Sequence, residues 1–254
     1  MEALAAFLRE AGLEPVFSRC LYRRDGGPFS GTPQERAKEL NGFFGDPEVG
    51  MILDISGGDA ANGILPYLDY GAAGRSRAVF WGYSDLTAVI NALYAKTGRP
   101  SVLYQAAHLA EGDWQRRAFR SLLSGKGGDL FRFSYEFIQG SSMEGIVAGG
   151  NIRCLLKLAG TPYWPDMRGK LLLLEARSGT AARISSFLAQ LRQMGVFEQA
   201  SGILLGTFLE LEERDSIEEL VFEYAGRDIP VARTGQIGHR TDSHGIWIGR
   251  RLEL

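Results

Sequence analysis

Apolar residues recur along this chain in two rhythms. One is a helical spacing of three to four residues; the other is a series of short unbroken apolar runs. Met1 to Ala11 carries Leu4, Phe7 and Leu8 on one face, which predicts an amphipathic helix. Pro33 to Phe44 predicts a second helix. Thr32 suits its N-cap, Pro33 suits the first helical position, Glu35 completes a capping box, and Gly45 ends it. Met51-Ile52-Leu53-Asp54-Ile55 reads as a buried strand running into Ser56-Gly57-Gly58. Ala78-Val79-Phe80-Trp81 reads as another, followed by a helix from Asp85 to Ala95 that Gly98 and Pro100 close. From about Ser121 to Gly140 the rhythm loosens around the loop Ser124-Gly125-Lys126-Gly127-Gly128. A first domain over 1–125 and a second over 126–254 are therefore expected.

The second half restarts at Gly145-Ile146-Val147-Ala148-Gly149-Gly150. Lys170 to Glu175 predicts a strand around Leu171-Leu172-Leu173-Leu174. Thr180 to Met194 predicts a helix, with Ile184, Phe187, Leu188 and Leu191 at helical spacing and Gly195 as its cap. Ile203 to Leu205 reads as a strand and Ser216 to Tyr224 as a helix. Ile229 to Ala232 and Ile246 to Ile248 read as late strands. Helix and strand alternate throughout, so the class is α/β.

Composition narrows the function without naming it. The 254 residues carry a formal charge of −2, with 45% hydrophobic and 23% charged residues. That is ordinary for a globular protein, and a nucleic-acid partner, which wants a basic face, is not expected. No run approaches a membrane span and no secretory leader is read at the start, so the expected place is the cytoplasm, away from a membrane. Cys20 and Cys154 lie in apolar surroundings and read as buried free thiols; with three His they make no zinc spacing, and neither metal nor cofactor is expected.

The sharpest chemistry sits in Phe80-Trp81-Gly82-Tyr83-Ser84-Asp85-Leu86-Thr87, between a strand and a helix. A serine on such a turn holds its hydroxyl above the sheet edge, and the helix start behind it offers N–H groups to an oxyanion. The match to a Gly-x-Ser-x-Gly elbow is partial, because Leu86 stands where the second Gly belongs. Two readings stand for Ser84: a nucleophile, or a plain helix cap. Gly57-Gly58 could bring a backbone N–H to an oxyanion, or simply turn the chain. Glu175 closes a Leu-rich strand, either as a paired functional carboxylate or as a strand end in water. His239 lies in the glycine-rich loop Gly235 to Asp242, with His244 close by and His108 as a third candidate. The order Ser, Glu, His is compatible with nucleophile, orienting carboxylate and general base.

Taken together, these stretches resemble the LD-carboxypeptidase family, which includes muropeptide LD-carboxypeptidases and microcin C immunity peptidases. The resemblance rests on Asn62-Gly63-Ile64-Leu65-Pro66-Tyr67-Leu68-Asp69-Tyr70, on Gly82 to Thr87, and on Gly149-Gly150-Asn151. It continues through Leu158-Ala159-Gly160-Thr161-Pro162-Tyr163, Gly169 to Glu175 and Ile237-Gly238-His239, in family order. It implies an N-terminal Rossmann-like domain and a C-terminal α/β domain with a barrel-like sheet, with the site between them in a homodimer. It further implies Ser84 as nucleophile, His239 as base and Glu175 as its orienter. Backbone N–H groups of Gly58, beside Gly57, and of Asp85 would hold the oxyanion. The substrate would be a small peptide, a murein tetrapeptide or a peptidyl-aminoacyl nucleotide, and neither reaction needs a metal.

The chain also departs from that pattern. Met1 already lies in the first helix, where the family usually begins with a strand. Ser56 and Asp59-Ala60 flank the Gly pair in place of the family's Arg and Tyr-Gly, and Gln105-Ala106-Ala107-His108 replaces a Gly-Pro turn. A nucleotide substrate would want an aromatic between Gln105 and Gly140; Trp114, Phe131, Phe133 and Tyr135 are the candidates, with core packing as the plainer role. A non-catalytic binding module on the same fold is the competing class.

Overall fold

The computed structural model describes residues 1–24 and 27–254. In chain order its elements are α1 (Glu2–Glu10), α2 (Pro33–Gly45), β1 (Met51–Leu53), α3 (Tyr70–Arg75), β2 (Val79–Gly82) and α4 (Thr87–Thr97). Next come β3 (Ser101–Leu103), α5 (Asp113–Leu123), β4 (Glu136–Gln139), β5 (Glu144–Asn151), α6 (Ile152–Leu156) and β6 (Lys170–Ala176). The chain ends with α7 (Ala181–Gln193), α8 (Val196–Gln199), β7 (Gly202–Phe208), α9 (Ile217–Ala225), β8 (Val231–Arg233), β9 (Ile246–Ile248) and β10 (Arg251–Glu253). No helix among the described residues is long and apolar enough to cross a membrane.

Two sheets organise the molecule. The first, in the order β1-β2-β3-β9, is a Rossmann-like unit with β1, β2 and β3 parallel and α3 and α4 in its crossovers. The second has the order β10-β5-β6-β7-β8-β4; its central four strands are parallel, and it forms the barrel-like sheet of the second half. The parallel strands are covered on both faces, as parallel strands must be. One face of β6 sends Leu171 and Leu173 into a core shared with α2, α4 and the first sheet. The other sends Leu172 and Leu174 against α7 and α9. Strand alternation then puts Glu175 on the same side as Leu171 and Leu173, toward the first sheet.

Local chemistry fixes several elements as the sequence predicts. Thr32 accepts from the Glu35 N–H and Glu35 reaches back to the Thr32 N–H, so the capping box of α2 is complete. Gly45 does not stop that helix; it is the last residue, and Asp46 in extended conformation ends it. The helix expected from Asp85 starts two residues later, because Ser84 to Leu86 forms a tight 3-10 turn first. The strands expected over Met51–Ile55 and Ile229–Ala232 are shortened to Met51–Leu53 and shifted to Val231–Arg233. One pairing has no local signal: β9, from the end of the chain, adds antiparallel to β3 and so crosses from the second half into the first sheet.

The two sheets are locked through α4. Asn91 is fully buried and donates to the carbonyl of Gly149 while accepting from its N–H, at 2.8 and 2.9 Å. Thr87 accepts from the Asn151 N–H at 3.1 Å. A side chain at Gly150 would meet the Thr87 hydroxyl at 2.8 Å, so glycine is what lets α4 lie on β5. Asn91→Ala would orphan both backbone groups of Gly149. We expect it to cost roughly 2–4 kcal/mol of stability in urea unfolding; a loss under about 0.5 kcal/mol, the usual ceiling for a surface change, would contradict this locking.

Candidate active site

The strand-to-helix turn after β2 carries the first candidate side chain. Ser84 has φ +53°, and among the described residues it is the one non-glycine residue with a positive φ. A left-handed serine costs about 1–2 kcal/mol relative to ordinary backbone. Such strain collects at functional turns, where the surrounding packing enforces it. Leu86, in place of the second elbow glycine, supplies part of that packing. A side chain at Gly82 would come within 2.8 Å of Leu86 Cβ and 2.9 Å of Phe80 Cε1, so the turn needs glycine before the serine, not after it.

Glu175 comes from the end of β6, where the β6–β7 register shifts between Leu174 and Ala176. A bulge of this kind re-aims a side chain. The Glu175 side chain is completely buried. His239 sits on the loop before β9, which is anchored where the Thr207 N–H donates to the Ile237 carbonyl at 2.8 Å. The three meet in one line. His239 Nδ1 lies 2.6 Å from Glu175 Oε2, and His239 Nε2 lies 3.2 Å from Ser84 Oγ. A carboxylate only accepts, so Nδ1 carries the ring proton and Nε2 is free to accept from the serine hydroxyl. Tyr83 packs on the imidazole with ring centroids 4.4 Å apart and donates to the Gly238 carbonyl at 3.0 Å. Burial, together with the nearby Glu175 charge, raises the Tyr83 phenol above its ordinary pKa, so the tyrosine stays a donor.

The other expected residues fall at the same corner. Asp85 is buried, and its carboxylate accepts from the Ala61 N–H at 2.7 Å and pairs with Lys157. Lys157 also donates to the Asp59 carbonyl at 2.9 Å. One ammonium thus ties the turn after Ser84 to the loop after Gly57-Gly58. Removing one partner from a buried pair of this kind costs roughly 3–5 kcal/mol. Arg153 pairs with the Asp59 carboxylate and approaches the Gly58 carbonyl at 3.4 Å. Gly57 and Gly58 face open space, with nothing within 4 Å of where a side chain would begin.

The remaining candidates lie elsewhere. His108 packs against Tyr104, and His244 stacks on Trp114 with ring centroids 4.6 Å apart. Burial lowers the pKa of both histidines. Burial pushes the Cys154 thiol up to about 12, which keeps it protonated and unreactive. Cys20 is half-buried rather than buried. Of the aromatic candidates, Phe131 packs between Trp81 and Trp247, while Tyr135 is exposed. Lys157 and Arg153 were not legible as site residues, because their partners lie far away along the chain.

A serine, a histidine and a buried carboxylate thus meet at one corner of the molecule. Residues 1–104 match the model of the LD-carboxypeptidase N-terminal domain, and residues 144–254 match that of the C-terminal domain. The chain belongs to the LD-carboxypeptidase family. It is accordingly a serine peptidase of the carboxypeptidase type. Among its relatives in this family is a probable murein peptide carboxypeptidase of Bacillus subtilis, 30% identical over all of this chain and 83% of that one. Another is the microcin C7 self-immunity protein MccF of Escherichia coli, 28% identical over 98% of this chain and 83% of that one. A solved structure of MccF without ligand superposes with a TM-score of 0.87 at 25% identity, over 99% of this chain and 86% of that one.

The strained turn yields a stability test within this LD-carboxypeptidase. Replacing Ser84 by Gly relieves the left-handed strain, whereas replacing it by Ala keeps it. Ser84→Gly is expected to unfold at higher denaturant than Ser84→Ala, by about 1 kcal/mol. Equal stabilities would mean that the turn is unstrained.

Proposed function

We propose that this enzyme releases a C-terminal D-amino acid from murein-derived peptides, with Ser84 as nucleophile, His239 as general base and Glu175 as its orienter. The observation that carries this is the hydrogen-bonded line from Ser84 through His239 to buried Glu175, set on a left-handed serine. Ser84 Oγ attacks the scissile carbonyl while His239 Nε2 takes its proton. The backbone N–H groups of Asp85 and Gly58 receive the oxyanion. An N–H at the start of a turn has no earlier carbonyl of its own turn to bond, so it is available for this task. His239 then gives its proton to the departing amine, and water releases the acyl group by the reverse sequence.

The murein substrate is favoured by the relative from Bacillus subtilis, whose name carries that activity. The likeness to MccF supports a second reading, a peptidyl-aminoacyl nucleotide as substrate. Tyr135 gives that reading a physical basis. It is exposed, and its neighbour Ser134 bonds to Gln236 on the His239 loop, so a base could stack near the site. Two free cysteines suit a reducing cytoplasm, where murein fragments would be recycled. The homodimer and the division into domains near residue 125 rest on the family resemblance and the loosened sequence pattern.

The test is release of the terminal D-Ala from a murein tetrapeptide. The wild-type chain is expected to release it, and Ser84→Ala to lose at least ~10³-fold of that rate. Equal release by both would remove Ser84 from its role. No release by the wild type, with cleavage of a peptidyl-aminoacyl adenylate analogue, would decide for the second reading.

A further inference from the structure

We infer that Arg153 is the receptor for the substrate's terminal carboxylate, and that Asp59 occupies it in the free enzyme as a built-in stand-in. This rests on the carboxypeptidase reading above and names how that site selects its substrate. α6 and the residue that caps it send two cations across the seam between the sheets, and they are held differently. Lys157 is largely buried and committed to Asp85 and to the Asp59 carbonyl. Arg153 keeps a third of its side chain exposed, and its carboxylate partner, Asp59, is 74% exposed. An ion pair with so exposed a partner adds little, because water and salt compete for both charges. A substrate carboxylate delivered along with the rest of a peptide can therefore replace Asp59 at little cost.

The placement suits a carboxypeptidase. Arg153 reaches the carbonyl of Gly58, whose own N–H is the proposed oxyanion donor. The guanidinium is thus held against the residue that offers that donor. In the substrate, the scissile carbonyl and the terminal carboxylate are close neighbours, separated by one residue, roughly the 3.8 Å between adjacent Cα atoms. A guanidinium binds a carboxylate through two parallel N–H donors, which fixes orientation as well as charge. Among the described residues nothing lies within 4 Å of where a side chain would begin at Gly57 or Gly58, so the loop beside Arg153 is unobstructed there.

A latch that merely holds the Gly58-Asp59 loop would use the same ion pair, and the two partners tell the roles apart. Steady-state cleavage by the full chain is compared for the tetrapeptide acid and its C-terminal amide, using wild type, Arg153→Ala, Arg153→Lys and Asp59→Asn. Arg153→Ala is expected to lose ~10–100-fold in kcat/KM on the acid, mostly through KM, and its acid-to-amide preference collapses toward one. Arg153→Lys recovers part of that preference, because the charge returns without the fork. Asp59→Asn moves the other way, with the KM for the acid falling ~3-fold or more as the competitor is weakened. Parallel losses for Arg153→Ala and Asp59→Asn on both peptides would overturn the inference in favour of a latch. An unchanged acid-to-amide preference in Arg153→Ala would overturn it in favour of another cation. A wild type inert toward the acid would instead bring down the carboxypeptidase reading itself, and this inference with it.

Discussion

A carboxylate shut away from water must be met by a partner, and Glu175 is met by His239 at 2.6 Å. Glu175 Oε1 has no hydrogen-bond partner among the described residues, so the pairing through Oε2 is the contact that much of the molecule is arranged to hold. The alternation of β6 points Glu175 out of the second sheet toward the first, on the side of Leu171 and Leu173. The register shift beside it frees the side chain from the regular ladder. The His239 loop is tied down on β7 through Thr207 and held under the Tyr83 ring, so the imidazole has one orientation available. Once Nδ1 is committed to Glu175, Nε2 is left to Ser84. A buried charge that would be costly alone thereby sets the tautomer of the proposed general base.

The serine comes from the other sheet, so the chemistry depends on the two sheets keeping their relative position. Two of the polar contacts across the seam serve this most directly. Asn91 satisfies both backbone groups of Gly149 and fixes α4, the helix that follows the nucleophile turn, on β5. Lys157 reaches from the end of α6 to Asp85 and to the Asp59 carbonyl, and so joins the two backbone segments proposed to hold the oxyanion. Both contacts are buried or nearly so, where a satisfied polar group specifies one arrangement and an unsatisfied one is expensive.

Much of this was legible in the sequence because it is local. The capping box of α2 needs only Thr32, Pro33 and Glu35. The β6 strand needs only its four leucines, and the elbow shows in Gly82 and Ser84 with one residue between them. What was missed depends on distant parts of the chain. β9 is three residues long and pairs with a strand from the other half, so no window around Ile246 could place it in the first sheet. Arg153 and Lys157 read as ordinary helix cations until Asp59 and Asp85 are brought beside them. The short strands β4 and β10 carry too few apolar positions to show a period. The family resemblance singled out the serine, glutamate and histidine. It could not show that Leu86, at the position of the missing glycine, packs against Gly82 instead.

The central claim is that Ser84 is made nucleophilic by His239, itself aligned by buried Glu175. The most direct measurement is the rate at which a fluorophosphonate labels the folded protein, with the site read by peptide mass spectrometry, in wild type and in His239→Ala. The account predicts one label per chain on Ser84 in the wild type, and labelling slower by ~100-fold or more in His239→Ala. A wild type that is not labelled, or a Ser84 labelled equally fast without His239, would contradict it.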